Sequence, residues 1–284
     1  MEPFEQTKLQ AGDGCYITAL LLKKWTENVP GLTAGYTTRQ GGVSEAPYDS
    51  MNMALHVNDD PKHVMRNREL LASAVGLPFD SYTCAEQVHS NHVHIVNLTD
   101  RGKGRSLRED AIQDADALVT KEEGLLLNSF YADCVPLLFV DPVQRVIGLA
   151  HAGWKGTVLG IAMKTVERMK ESFGSDPNTI LAAIGPSISS CCYEVDERVI
   201  APVKELLSAH SISEEGILKP SQQGRAMLNL REINRELLLK AGILASHIEC
   251  TTWCTSCHSE LFFSHRRDGG KTGRMASWIG WKKG

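Results

Sequence analysis

Ala132-Asp133-Cys134-Val135-Pro136-Leu137-Leu138-Phe139-Val140-Asp141-Pro142-Val143-Gln144-Arg145-Val146-Ile147-Gly148-Leu149-Ala150-His151 reads as two apolar runs on either side of a turn. Pro142 has no amide proton to give to a ladder, so the chain is expected to reverse at 141–144 and to join antiparallel strands over 135–140 and 146–151. With the turn so placed, Cys134 falls opposite His151. Directly opposed Cβ atoms stand about 4.5–5.5 Å apart, near enough for a thiolate and an imidazole to reach one ion or to exchange a proton. A slip of one residue would send the two groups to opposite faces.

Outward from this hairpin, further strands are expected at 15–20, 33–38, 81–85, 93–98, 116–120, 125–129, 179–184, 247–252 and 275–280. Helical spacing marks 61–75, 157–172, 197–209 and 229–241, with Gly76, Gly174 and Gly242 just past three of the ends as C-caps. Strands grouped unevenly with helices predict an α+β (mixed α/β) fold, with mixed sheets flanked by helices. The polar stretch 99–113 reads as a solvent loop, since strands resume on both sides. One domain over 15–284 is expected, preceded by an N-terminal tail, 1–14, that shows no secretory pattern.

The 284 residues carry net charge −4, with 42% hydrophobic and 23% charged, values that exclude disordered and fibrous classes. A pI near 6.2 gives no footprint for nucleic acid, which calls for clustered cations. The longest apolar runs are strand-sized, far short of the roughly 20 residues of a membrane span. A soluble cytoplasmic protein acting on small molecules, as monomer or weak homo-oligomer, is the expectation. Eight cysteines (Cys15, Cys84, Cys134, Cys191, Cys192, Cys250, Cys254 and Cys257) are too sparse for a disulfide scaffold and favour thiol or metal chemistry.

A third ligand beside Cys134 and His151 is sought in Glu86-Gln87-Val88-His89-Ser90-Asn91-His92-Val93-His94, the densest histidine cluster. Alternation along a strand would put His92 and His94 on one face, while His89 falls in the turn-like start, so spacing alone favours the 92/94 pair. After His151, Ala152-Gly153-Trp154-Lys155-Gly156-Thr157 leads into a helix. Free N–H groups there and the Lys155 ammonium suit an anion, although the segment is not a P-loop, and a plain tight turn explains it equally well. Cys250, Cys254, Cys257 and His258 form C-x₃-C-x₂-C-H, half of a zinc knuckle. Cys191-Cys192, on opposite sides of an extended strand, would add at most one group to any such site.

The chain resembles the bacterial YlmD/YfiH-type laccase-domain proteins, also called multicopper polyphenol oxidase-like, which have a human relative in the purine nucleoside enzyme FAMIN. The resemblance is carried by Thr37-Thr38-Arg39-Gln40-Gly41-Gly42-Val43-Ser44, Gln87-Val88-His89-Ser90, Asp114-Ala115-Asp116-Ala117-Leu118-Val119-Thr120 and Ala132-Asp133-Cys134-Val135-Pro136. It continues through His151-Ala152-Gly153-Trp154-Lys155-Gly156-Thr157, the block from Ile184 to Val195, and Phe262-Phe263-Ser264-His265-Arg266-Arg267-Asp268-Gly269. It implies a single YfiH-type catalytic domain with a zinc site of His89, Cys134 and His151. It also implies phosphorolysis of adenosine, inosine and methylthioadenosine to free base and ribose 1-phosphate, with adenosine deamination besides. Purine nucleosides and phosphate would then be the partners.

Three donors, N₂S, leave a fourth tetrahedral position for water or substrate, which suits the deamination, whereas phosphorolysis asks for cations around the phosphate and a hydrogen-bond donor near the purine. Arg39, Arg266, Arg267 and Lys271 join Lys155 as candidates for phosphate or substrate contacts, because a guanidinium fork matches phosphate oxygens. Asp114 and Asp116, on one strand face, are candidates to orient a ligand histidine or shuttle a proton. Asp133 would point away from the site and serve a supporting role. Two other classes stand beside this one. A copper-dependent polyphenol oxidase would need histidines in paired motifs, whereas the ten present are scattered with a single His-x-His, although Cu(II) could displace zinc at one N₂S site. A metal-free cysteine hydrolase would use Cys134 and His151 alone.

Overall fold

The computed structural model describes residues 2–283. In chain order the elements are β1 (Glu5–Gln10), β2 (Tyr16–Leu21), α1 (Lys23–Asn28), β3 (Leu32–Thr37), α2 (Pro61–Ala74), β4 (Tyr82–Cys84), β5 (Val93–Ile95), β6 (Ala117–Thr120) and β7 (Leu126–Tyr131). The hairpin β8 (Val135–Asp141) and β9 (Val146–Ala152) follows, then α3 (Trp154–Val158), α4 (Ile161–Phe173), β10 (Leu181–Ile184), β11 (Glu194–Asp196) and α5 (Glu197–Ala209). The chain closes with β12 (Leu218–Pro220), β13 (Arg225–Leu228), α6 (Leu230–Lys240), β14 (Ile248–Cys250) and β15 (Met275–Trp281).

Two six-stranded mixed sheets, ordered β1-β2-β3-β15-β7-β4 and β14-β10-β8-β9-β6-β5, lie face to face. Side-chain alternation along β8 explains the layering. Leu138 and Val140 enter the core shared with Tyr36, Leu127, Tyr131 and Ile279 of the first sheet, while Leu137 and Phe139 face Ile161, Val166 and Leu237 on the helices. The first sheet turns Ile17, Phe130 and Trp278 outward against Leu70 and Leu71 of α2. The result is an α+β sandwich of four layers, helix, sheet, sheet, helix, and the apolar runs of β8 and β9 follow from burial on both faces.

The helices begin and end on local chemistry. Asp60, Asp196 and Asn229 accept from backbone amides of the first turns of α2, α5 and α6. Gly76, Gly174 and Gly242 all have positive φ where the chain leaves the helix. The single helix expected over 157–172 is instead α3 and α4, because Gly160 adopts the left-handed conformation (φ 77°) between them. Within the stretch expected to be an N-terminal tail, residues 5–10 form β1, which pairs along its full length with β2. A third sheet, β11-β13-β12, is built of strands of only three or four residues, too short for their alternation to stand out in the sequence. Among the described residues no helix is long and apolar enough to cross a membrane.

Candidate metal centre

The hairpin forms with a shifted turn. Asp141 is still in the ladder, opposite Val146, and its carboxylate accepts from the amides of Val143 and Gln144, so the reversal falls one residue later than expected. His151 therefore faces Pro136 rather than Cys134. The displacement is two positions, which preserves the face, and Cys134 at the mouth of β8 remains on the side of His151.

His89, Cys134 and His151 present one donor atom each, all within 4.8 Å of one another. The two imidazole rings meet edge to face, with centroids 4.8 Å apart. A tetrahedral zinc takes nitrogen at about 2.0–2.1 Å and thiolate at about 2.3 Å, which spaces its donors at roughly 3.3–3.8 Å, so the triad fits such an ion with small side-chain adjustment. Gly153 keeps the space open: a Cβ there would stand 3.0 Å from His89 Cδ2 and 3.1 Å from Cys134 Sγ. His151 is buried, Cys134 half-buried and His89 exposed, so the centre opens on the His89 side.

Asp116 organises two of the three donors. It lies just before β6 and is 2% exposed. Its Oδ1 accepts from His151 Nδ1 (2.8 Å) and from the His89 amide (3.0 Å), and its Oδ2 from the amides of Val88 (3.1 Å) and Ser90 (2.6 Å) and from Ser90 Oγ (3.0 Å). The His151 Nδ1 bond leaves Nε2 as the coordinating nitrogen. The amide bonds fix a turn in which His89 takes φ 61°, and this turn, rather than a regular strand, aims the imidazole. Burial works against charge on Asp116, but the hydrogen bond and charge of His151 and the Ser90 donors hold its carboxyl below the usual range. Burial likewise pushes the Cys134 thiol up, and the charge of His151 with hydrogen bonds from His151 and His89 brings it down to about 6. His151 mirrors this: burial lowers it, and the Cys134 thiolate and Asp116 raise it to about 9.

His92 and His94 stay outside the cluster. His92 Nδ1 is 3.0 Å from the Asp114 carbonyl and His94 Nε2 is 3.3 Å from the Asp100 carboxylate, because the strand begins only at Val93, after the Asp116-bound turn. Asp114 does not share a strand face with Asp116; it sits in an exposed turn at φ 55°. Asp133 takes φ 88°, and its carboxylate accepts from Thr255 Oγ1 (2.7 Å), Ser264 Oγ (3.0 Å) and the Arg266 amide (2.7 Å), which ties two C-terminal loops to the residue beside Cys134.

A cavity of about 260 Å³ adjoins the triad, lined by His89, Asp133, Cys134, Trp154, Lys155, Ile188, Tyr193 and Leu230. Lys155 is exposed at this cavity, its ammonium 5.8 Å from the Trp154 ring, with no carboxylate partner among the described residues. The Arg266 guanidinium stacks on Tyr193 at 5.1 Å and donates to the Glu194 carbonyl. Arg39 and Arg267 are not brought here. Arg39 donates to Asp49 and the Ser259 carbonyl and lines a separate cavity, and Arg267 is consumed by Asp268 and the carbonyls of Thr255 and Phe262. Lys271 is exposed on the last loop. Trp154 and Tyr193 were missed as cavity walls, although each sits inside a block that carries the family resemblance.

The half-knuckle resolves differently from expectation. Cys250 and His258 lie apart from it, His258 Nδ1 meeting the Cys254 carbonyl at 3.0 Å. Cys191 and Cys192 both join Cys254 and Cys257, because residues 190–192 form a turn and adjacent side chains no longer diverge.

Residues 33–282 match the family model described as multi-copper polyphenol oxidoreductase laccase. The chain is 41% identical over 269 residues to "Purine nucleoside phosphorylase YlmD" of Bacillus subtilis, covering 94% of this chain and 95% of that one. It is 34% identical over 255 residues to "Adenosine deaminase RL5" of an unknown prokaryotic organism, covering 90% and 96%. The crystal structure of YlmD from Geobacillus stearothermophilus superposes with a TM-score of 0.90 at 40% identity, covering the whole of both chains. On this agreement of sequence and fold, the chain belongs to the YlmD/YfiH-type laccase-domain family.

Proposed function

We propose that the protein is a cytoplasmic, zinc-dependent purine nucleoside enzyme that cleaves adenosine, inosine and methylthioadenosine with phosphate, giving free base and ribose 1-phosphate (methylthioribose 1-phosphate from the last), and that also deaminates adenosine. The observation that carries this reading is the N₂S triad beside a cavity with a free cation and aromatic walls. The names of the relatives support the substrate class. A multicopper oxidase set is disfavoured because, among the described residues, the one other group of metal-binding geometry is all cysteine, whereas such a set needs histidines.

His89, Cys134 and His151 would hold a zinc ion, which would supply a Lewis acid and a means of making hydroxide available near neutral pH. In phosphorolysis, a phosphate oxygen bonds to the anomeric carbon as the glycosidic bond breaks and the purine departs, taking up a proton. Lys155 at the cavity, with Arg266 stacked on the cavity residue Tyr193, supplies the positive charge that holds the phosphate against that carbon. Trp154 and Tyr193 offer flat faces to a purine. Asp116 fixes the ring orientation of His151, and Asp133, saturated by three donors, keeps the Cys134 loop in place.

The test is chromatographic analysis of inosine and adenosine incubated with the purified protein, with and without phosphate, before and after metal stripping. Base release that requires both phosphate and metal supports the proposal. Cleavage that survives metal stripping would overturn it in favour of the Cys134/His151 hydrolase, and phenol oxidation restored by copper alone would favour the oxidase.

A further inference from the structure

We propose that Cys191, Cys192, Cys254 and Cys257 form a second metal site that binds a structural zinc ion, separate from the nucleoside centre. Four sulfurs from two segments more than 60 residues apart in sequence converge at the surface. Cys191 Sγ lies 3.6 Å from Cys192 Sγ, 3.7 Å from Cys254 Sγ and 3.5 Å from Cys257 Sγ, and Cys192 Sγ is 3.4 Å from Cys257 Sγ. All four lie within 4.8 Å of one another. Zinc–thiolate bonds of about 2.3 Å in a tetrahedron separate the sulfurs by about 3.8 Å, so the observed spacing is that of ligands around one ion. Disulfide sulfurs stand at about 2.05 Å, and a pair of disulfides would leave this four-way contact without a purpose. The thiolates of an iron–sulfur cluster are divided among two or four iron atoms, so thiolates on different irons stand farther apart than these four sulfurs, which all lie within 4.8 Å of one another.

The surroundings are built to hold the four groups. Cys254 is 4% exposed and forms the floor, accepting from the Ser189 amide at 3.4 Å. An isolated bridge pairs Ser187 with Cys254, and the Thr255 amide donates to the Ser187 carbonyl at 3.1 Å. Arg231 of α6 reaches across the junction, donating to Ser189 Oγ and to the carbonyls of Thr251 and Trp253. Cys-x-x-Cys at 254–257 and the adjacent pair at 191–192 both sit in turns, which lets each segment offer two sulfurs to one point. Each thiol gives up its proton as the ion binds, and no open corner remains for substrate.

The position suggests what the ion does. The 187–193 loop carries Ile188 and Tyr193 to the cavity wall, and the 251–258 loop carries Thr255 to the Asp133 carboxylate beside Cys134. An ion held by both loops would clamp this side of the cavity.

Zinc per chain, measured by plasma mass spectrometry on protein purified without added metal, tests the proposal. Two equivalents are expected in the wild-type protein. Cys134→Ala should retain one, and its cobalt-substituted form should show the intense thiolate-to-metal absorption of a four-sulfur tetrahedral site. Cys254→Ser/Cys257→Ser should retain the other. One equivalent in the wild type and none in Cys134→Ala would overturn the inference, as would a disulfide among the four residues. Should the double variant fail to fold, the intact zinc-loaded protein decides. Exposed Cys15 should alkylate at once and the four cysteines only after a chelator; labelling of Cys191 and Cys257 as fast as Cys15 would overturn it. Because Cys134→Ala removes the nucleoside centre, failure of that centre and failure of this site give different metal counts.

Discussion

The two groups of metal-binding side chains differ in the way catalytic and structural sites are expected to differ. His89, Cys134 and His151 offer three donors of mixed type at the end of a strand pair, braced by a buried carboxylate and facing a cavity. The four cysteines sit in two turns and offer a complete set; Cys191 borders a separate cavity with Leu218 and Met227, away from the triad. An ion with an open position exchanges water or substrate; an ion closed by four thiolates does not, and contributes only binding energy to the fold. On the proposed reading, chemistry therefore falls to the triad, even though the cysteine cluster is the better ligand set by donor count.

The largest effect that could break this contrast is removal of one donor from the triad. Cys134→Ala should reduce phosphorolysis and deamination to background while the protein stays folded by circular dichroism, since the cysteine cluster is untouched and Cys134 only borders the core between the sheets. Wild-type turnover in that variant would sink the assignment of the centre. Asp116→Asn is the next step down: the amide can still meet some donors but orients His151 and the 88–90 turn less well. Outer-shell changes of this kind typically cost about 10–100-fold in metal affinity or activity. Zinc titration against a chelating dye should show that loss at the triad and none at the cysteines. Lys155→Met should act on binding rather than chemistry, raising the KM for phosphate by roughly 10-fold, the scale of one charge-assisted hydrogen bond. Adenosine deamination, which uses no phosphate, should be nearly unchanged, and equal losses in both reactions would show that Lys155 holds the nucleoside instead.

Much of this was legible in the residues. The eleven expected strands all appear, the long apolar runs such as β8, β9 and β15 at nearly their expected length and the mixed segments β4, β5 and β14 shortened to three residues. β1 escaped notice because Glu5–Gln10 is an edge strand with mostly polar, exposed side chains, stabilised by pairing with β2 rather than by its own pattern. The face shared by Cys134 and His151 followed from hairpin parity, while the register depended on the Asp141 carboxylate capping the turn, a side-chain effect that spacing does not reveal. The choice of His89 over His92 and His94 was closed to periodicity. It depends on a left-handed residue held by Asp116 from a segment 27 residues away, and family resemblance alone pointed to it. The cysteine cluster was half visible: Cys254 and Cys257 show the turn spacing, but the folding of 190–192 into a turn against them is tertiary information.

The smallest effect sharpens the contrast without touching activity. In the metal-free protein, the Cys134 thiol titrates at about 6 and His151 at about 9, so between those values the pair exists as thiolate and imidazolium with one proton between them. An ion that takes Cys134 Sγ and His151 Nε2 must displace that proton, because coordination needs the imidazole neutral. Below pH 6 the thiol is protonated as well and the pair has two protons to lose; above 9 it has none. Calorimetric zinc titrations of the Cys254→Ser/Cys257→Ser variant in buffers of different ionisation enthalpy should therefore give close to one proton released near pH 7.5, rising as the pH falls through 6. The reciprocal Cys134→Ala variant, binding zinc through cysteines alone, should release more than one at the same pH, and identical counts in the two variants would mean that the sites are not distinct.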